Sequence, residues 1–371
     1  MSVMKENKFV PKLRFKGFND EWKIMKLGEL FKISAGGDIS KEHVSNIETK
    51  DFKYPIFANA KKRKGLYGYS NTYKVEGNVV TVAGRGVNLG IAHSRKEKFY
   101  PIVRLLVLKP KYECNVDYYE HRINLMKLFI ESTGIPQLTA PQLSSYNISY
   151  PSIFEQNKLA EFISSVDKKI ELLENKKERL ELYKKGVMQK IFSQEIRFKD
   201  DDGNYFDKWE FKNFDEIFDI ISHEEISIKE IKESGMYKVV EQGKEKKYRF
   251  SNDEKKLIKN ETFIVYGDHT TEIKFIDFDF IAGPSLKFLK CLELYNLKFM
   301  FYNLIFNNIK PEGYKRHFSI LKRISLKVPR KEEQKKIADF LSSIDKKLDY
   351  VSVQLEKTKE FKKGLLQQMF V

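Results

Sequence analysis

Apolar and polar positions alternate along this chain in two regimes. Over Pro151–Phe192 apolar residues recur at Leu159, Ile163, Val166, Ile170, Leu173, Leu180, Val187 and Ile191. Over Pro329–Phe370 they recur at Ile337, Leu341, Ile344, Leu348, Val351, Leu355, Leu365 and Met369. Steps of three and four residues mark the seam of a helix that packs lengthwise on another. Each stretch opens with proline and gains acidic residues within the next few positions, a helix start. Helices of about 40 residues would be ~60 Å long. Lys177, Lys184, Thr358 and Lys362 interrupt the seam, and Gly186 and Gly364 could kink or end the helices. Elsewhere the apolar runs are short: Asn78–Ala83, Ile102–Leu108, Thr262–Tyr266 and Lys274–Ile281. Turns at Gly36-Gly37, Gly84-Arg85-Gly86 and Ala282-Gly283-Pro284 punctuate them, which predicts many short strands. A helix is expected in each such region, near Val116–Ser132 and Leu294–Asn307.

The two long stretches are copies of one another. At a constant offset of 178, without a gap, Glu155 matches Glu333, Gln156 matches Gln334, Ala160 matches Ala338 and Phe162 matches Phe340. Ser164-Ser165 with Asp167-Lys168-Lys169 recurs as Ser342-Ser343 with Asp345-Lys346-Lys347. A weaker repeat, offset by 187, places Arg14-Phe15-Lys16 and Trp22 against Arg197-Phe198-Lys199 and Trp209, the only two tryptophans. The plan is therefore a variable block, a helix, a second variable block and a second helix, divided as 1–152, 153–193, 194–328 and 329–371. The fold class is α+β: two mixed α/β domains separated by two long antiparallel coiled-coil helices with pseudo-twofold symmetry. The alternative is two amphipathic helices, each capping its own domain.

With 68 Lys+Arg against 52 Asp+Glu in 371 residues, the formal charge is +16, which points to a polyanion such as nucleic acid. The excess is uneven: residues 1–152 carry +11, 153–193 carry +2, 194–329 none and 330–371 +3. Two distant cysteines, Cys114 and Cys291, suit neither a disulfide framework nor zinc spacing. No signal-like apolar segment or spanning helix is visible, so the reading is cytoplasmic, with no membrane partner. A Gly-x4-Gly-Lys-Ser/Thr phosphate loop is absent, as is the Asn-Pro-Pro-aromatic run of amino-methyltransferases, and the six histidines lack metal spacing. No catalytic residue and no metal ligand is assigned.

Taken together, Arg-Phe-Lys with a following Trp before each block and Pro-x-x-x-Glu-Gln at the start of each helix resemble the specificity subunit of type I restriction-modification enzymes. Ile33–Lys41, with its Gly-Gly pair, looks like the opening of a target-recognition domain of that family, and Ser132–Leu138 like its closing loop. Block two departs from this pattern, with Gly267-Asp268-His269 where Gly84-Arg85-Gly86 would be sought and Gly313-Tyr314-Lys315-Arg316 where the closing loop would be. The resemblance implies a non-catalytic DNA reader. Each block would be a target-recognition domain reading half of a bipartite, asymmetric site in double-stranded DNA. The helices would set the gap and dock two methyltransferase (modification) subunits, with restriction/translocase subunits completing the complex. No cofactor would belong to this chain; S-adenosylmethionine, ATP and Mg would sit in the partner subunits. Other readings are a related multi-subunit type II system, a self-contained DNA-modifying enzyme, and a coiled-coil scaffold or RNA adaptor.

Side-chain chemistry nominates the contacts. Phosphate clamps are expected at Lys61, Lys62, Arg63 and Lys64, a run flanked by Tyr67 and Tyr69, and at Lys315 and Arg316. Base readers are expected at Arg85, Asn88, Gln137, Gln142, Lys247, Arg249, Asp268 and His269. Partner contacts are expected at Glu155, Gln156, Phe162, Glu333, Gln334 and Phe340, although the two phenylalanines fall just outside the seam and suit packing on their own domains.

Overall fold

The computed structural model describes residues 9–60, 62–126, 128, 137–244, 248–313 and 315–371, without the side chains of Lys62 and Arg63. The chain forms two compact units. One comprises the chain up to Glu174 together with Val353–Val371; the other is Asn175–Ser352. Helices are numbered in chain order: α1 Leu27–Leu30, α2 Val116–Asn124, α3 Ala140–Ser144, α4 Ile153–Phe192, α5 Leu297–Phe306, α6 Phe318–Leu321 and α7 Lys331–Met369. The first unit holds the beginning of α4 and the end of α7, and the second holds the remainder of each.

In the first unit, strands Phe31–Ala35, Leu106–Pro110, Val79–Val82 and Ala92–Arg95 form an antiparallel sheet in that order. A second sheet orders Val44–Ser45, Leu66–Ser70, Tyr54–Phe57 and Tyr100–Pro101, its last pair parallel. The block is closed by Lys23–Lys26 pairing antiparallel with Asn147–Tyr150, which returns the chain to the start of α4. The second unit repeats the plan. Phe218–Ile221, Leu286–Cys291, Phe263–Gly267 and Ile273–Ile276 form the antiparallel sheet. Arg249–Ser251, Tyr237–Val240, Phe280–Ala282 and Leu257–Ile258 form the second sheet, its middle pair parallel. Glu210–Asn213 with Ser325–Val328 closes the block ahead of α7.

Each core is sealed by an aromatic trio on equivalent positions. Trp22, Tyr118 and Phe370 lie 5.5–6.3 Å apart, centroid to centroid, in the first unit. Trp209, Phe299 and Phe192 lie 5.8–6.0 Å apart in the second. Edge-on and offset aromatic contacts add to plain area burial, so Trp22 is a core residue and the half-buried Trp209 packs against its own core. The helix seams are satisfied in the same way. In the first unit Leu159, Ile163 and Val166 share a core with Leu365 and Met369; in the second, Met188 and Ile191 share one with Ile337, Leu341 and Ile344.

Three expected elements are shorter or divided. The run Ile102–Leu108 becomes a strand only from Leu106, because Val103 and Arg104 adopt left-handed φ of 54° and 57° and turn the chain. Lys274–Ile281 splits into Ile273–Ile276 and Phe280–Ala282, with two aspartates in the intervening turn. The helix expected over Val116–Ser132 ends at Asn124.

Candidate nucleic-acid interface

The chemistry nominated in the first unit collects on loops at strand ends. The strand Tyr54–Phe57 runs out into Asn59 and then a 3₁₀ turn over Lys62–Gly65. That turn needs glycine. Gly65 has φ +86°, and a Cβ there would lie 2.6 Å from the Ala58 carbonyl oxygen. Its shape is fixed from beneath by Arg95, which is buried, donates to the Lys64 carbonyl at 2.5 Å and to Thr81 Oγ1 at 3.1 Å, and lies 3.6 Å over the Phe57 ring. Burial pulls the Arg95 guanidinium down to about 10, which leaves it cationic at neutral pH. The Gly84-Arg85-Gly86 loop lies alongside. A Cβ on Gly84 would meet the Arg104 carbonyl oxygen at 2.8 Å, so this loop touches the Val103–Arg104 turn through backbone.

The closing loop joins this cluster. Arg85 forms an antiparallel bridge with Gln137, and Leu138 N–H donates to the Gly84 carbonyl at 2.9 Å. Two residues nominated as base readers from distant stretches are thereby adjacent. Lys64 and Arg104 are exposed there, and Val87 projects fully into solvent. Asn88 is half-buried and donates to the Asn59 carbonyl at 3.3 Å. Lys61 lies outside the described residues, as do the side chains of Lys62 and Arg63 and the Ser132–Pro136 part of the closing loop. Gln142 is occupied within the fold, since its side-chain oxygen accepts from Thr139 N–H at 2.9 Å and completes the capping box of α3.

The second unit builds the corresponding cluster from different residues. Gly267-Asp268-His269 does sit beside the closing loop, but Asp268 is not a base reader. It is 5% exposed, and its Oδ1 accepts from the backbone N–H groups of His317 and Phe318, each at 2.9 Å. Those two bonds hold the start of α6. His269 is half-buried, and its backbone N–H donates to Gln242 Oε1 at 3.2 Å. Arg249 faces Glu241 in a two-pronged ion pair, so its guanidinium is committed within the unit. Lys315 pairs with Glu312 at 2.6 Å, while Arg316 is exposed. Lys247 and Tyr314 lie outside the described residues. Lys244, which is exposed, pairs with Glu272 at 3.1 Å. Local acids thus offset the cations of this cluster, in keeping with the zero net charge of residues 194–329.

The residues nominated for partner contact are mostly turned inward. Glu155 is 1% exposed and takes two 2.7 Å hydrogen bonds from Arg14. Glu333, also 1% exposed, accepts from Trp209 Nε1 at 3.2 Å, and burial pushes its carboxyl above the ordinary range. Gln156 accepts from Asn115 N–H and donates to the Pro151 carbonyl, both at 3.0 Å. Gln334 repeats this with Asn296 and Pro329 at 2.8 and 2.9 Å. The Glu-Gln pair therefore clasps each block to its helix. It cannot also be a docking surface, because a buried polar group already paired has nothing to offer a partner. Phe162 packs edge-on against Phe15 at 5.6 Å and Phe340 against Phe198 at 5.8 Å, so the Arg-Phe-Lys motif is a packing strip on its own helix.

Asn59, Arg95, Gln242 and His317 were not singled out by the sequence. Each acts through backbone groups of remote loops, which a linear pattern does not register. Among the described residues no group of three or more His, Cys, Asp or Glu could hold a metal ion, and no helix is long and apolar enough to cross a membrane.

Sheet domains with variable loop clusters, each clasped by the same motif to one of two repeated helices, define a modular recognition protein. The family model described as the type I restriction modification DNA specificity domain matches residues 19–182 and 207–359. The chain belongs to this family of DNA-recognition subunits. Over 94% of its length it is 23% identical to the MjaVIII type I restriction enzyme specificity subunit of Methanocaldococcus jannaschii, covering 91% of that protein. Two Mycoplasma pneumoniae proteins named as type I specificity subunits are 28% and 33% identical over 189 and 153 residues, 48% and 40% of this chain. The chain spans about half the length of these two relatives, 51% and 44%. In fold it is similar to the crystal structure of the type I restriction-modification S subunit from M. genitalium, with a TM-score of 0.70 at 16% identity, covering 98% of this chain and 99% of that one.

Proposed function

We propose that this chain is the sequence-reading, non-catalytic subunit of a type I restriction-modification complex, and that each unit reads one half of a bipartite, asymmetric site in double-stranded DNA. The observation that carries the reading is the pairing of unlike loop clusters with like clasps. Arg85 and Gln137 in one unit and His269 and Arg316 in the other occupy corresponding places, while Gln156 and Gln334 make corresponding bonds and Glu155 and Glu333 are both buried, held by Arg14 and by Trp209. Unlike readers on like mounts suit two different half-sites served by two copies of one partner. The exposed Lys64, Arg104 and Arg316 supply phosphate contacts, and Arg85, Gln137 and His269 face base edges. The helices dock two methyltransferase subunits, which supply S-adenosylmethionine chemistry, and restriction/translocase subunits supply ATP- and Mg-dependent cleavage. The complex acts in the cytoplasm.

The test is a block exchange. Residues 24–150 are replaced by the corresponding block of a relative, the chain is assembled with its modification subunits, and the methylated motif is sequenced. One half-site should change and the other persist. Alteration of both halves would refute the assignment of one half to each block.

A further inference from the structure

The two units share a device that no repeated motif announces. In the first unit Asn59 stands two residues beyond the strand Tyr54–Phe57. Its Oδ1 accepts from Gly84 N–H at 3.0 Å, its Nδ2 donates to the Val103 carbonyl, and its own carbonyl accepts from Asn88 Nδ2 at 3.3 Å. One carboxamide therefore joins the basic turn, the Gly-Arg-Gly loop and the Val103–Arg104 turn. Val103 is held at φ 54°, which a β-branched residue rarely adopts, and Asn59 grips the carbonyl of that residue.

In the second unit Tyr237–Val240 holds the corresponding place in its sheet. It runs parallel to Phe280–Ala282, as Tyr54–Phe57 runs parallel to Tyr100–Pro101. The register agrees to the residue. Phe57 accepts from Ile102 N–H and Val240 accepts from Gly283 N–H, both at 2.9 Å. Two residues beyond Val240 stands Gln242. Its Oε1 accepts from His269 N–H at 3.2 Å, and its own carbonyl accepts from Thr270 Oγ1. The pattern is the same in both units: the side-chain oxygen takes a backbone N–H from the neighbouring loop, and the backbone carbonyl takes a side-chain donor from that loop. The loop sequences differ, and so does the length of the amide that holds them.

We propose that Asn59 and Gln242 are positioning residues for DNA readout. They hold the loops carrying Arg85 and His269 at a set distance from the ends of the strands Tyr54–Phe57 and Tyr237–Val240, so each amide governs which bases its domain accepts without touching a base itself. A carboxamide suits this role because it presents an acceptor and a donor from one planar group, and readers must be held to within about 0.5 Å to discriminate. The proposal rests on the reading of each unit as a half-site reader.

The experiment uses the full chain assembled with its modification subunits and measures methylation rates on duplexes substituted base by base through both half-sites. Asn59→Ala should lower discrimination between right and wrong bases about tenfold in one half-site, with the other half and the binding of non-specific DNA unchanged. Gln242→Ala should do the same in the opposite half. Asn59→Asp keeps the acceptor for Gly84 N–H but sets a carboxylate oxygen against the Val103 carbonyl, and should lose discrimination for the same bases as Asn59→Ala does; a new preferred base would show direct reading and overturn the proposal. Discrimination within about twofold of the unaltered protein in both alanine variants would also overturn it. If either alanine variant does not fold, Gln242→Asn, shorter by one methylene, decides: a relaxed half-site supports the proposal and an unchanged one defeats it. The block exchange separates the two ideas. If it alters one half-site while the amide variants alter none, the reading stands and the positioning role fails.

Discussion

Glu120 is a carboxylate held charged inside the first unit. Burial alone would raise its pKa, but the His93 ring at 3.5 Å and two hydrogen bonds from Ser94, at 2.9 Å from N–H and 2.8 Å from Oγ, bring it down to about 2. It thereby ties α2 to the strand Ala92–Arg95. An acid whose folded pKa is depressed adds stability that is present above its ordinary pKa, near 4.5, and is lost as pH falls toward 2. The contribution is on the order of 3 kcal/mol at neutral pH. Glu120→Gln should therefore lower thermal stability at pH 7 but flatten its decline between about pH 4.5 and 2. Parallel acid-unfolding curves for the two proteins would show that Glu120 does not carry this linkage. At this scale the sequence was legible where a residue repeats. The match of Glu155-Gln156 with Glu333-Gln334 marked equivalent positions. Repetition could not say that the pair faces inward, because the partner of Glu155 is Arg14, 141 residues away.

At the scale of elements, two of the three seam lysines are cross-ties. Lys362 pairs with Asp167 in the first unit and Lys184 with Asp345 in the second, each at 2.5 Å, and each lysine follows the aspartate of its own helix by 17 residues. Tyr302 adds a 2.6 Å hydrogen bond to Asp345 from α5. These pairs fix the antiparallel register of α4 against α7 within each unit, since sliding either helix by one turn would separate charge from countercharge. The seam pattern showed that two helices pack lengthwise, but not that its interruptions were the register marks: a lysine at a seam position reads as a fault until its partner on the other helix is known. Asp345→Asn should cost about 1–2 kcal/mol, and a double-mutant cycle with Lys184→Met in urea should give a coupling of about 1 kcal/mol. A coupling below about 0.3 kcal/mol would show the pair to be incidental. Short strands were legible only in outline. Ile102–Leu108 reads as one apolar run, yet a left-handed turn at Val103–Arg104 ends one sheet partner and begins another, and that turn is held by Asn59 from outside the run.

For the whole molecule, the basic excess and the duplicated plan make different arguments. Net charge favours a polyanion at residues 1–152 and is silent for 194–329, where Lys244, Arg249 and Lys315 each face an acid. The duplicated clasp applies equally to both units, and it is what makes α4 and α7 candidate rulers between half-sites. The chain passes from one unit to the other within α4, between Glu174 and Asn175, and within α7, between Ser352 and Val353, so length can be added there without disturbing the Lys–Asp ties within either unit. Inserting seven helix-forming residues at both points adds about 10 Å, close to 3 base pairs of duplex, and nearly preserves the facing of each helix because seven residues make about two turns. Sequencing of the methylated motif should then show both half-sites intact and the gap between them widened by about three base pairs. A widened gap with one half-site altered would mean that the helices help to shape the reading loops as well as to space them. An unchanged gap would mean that the modification subunits, and not this chain, set the distance.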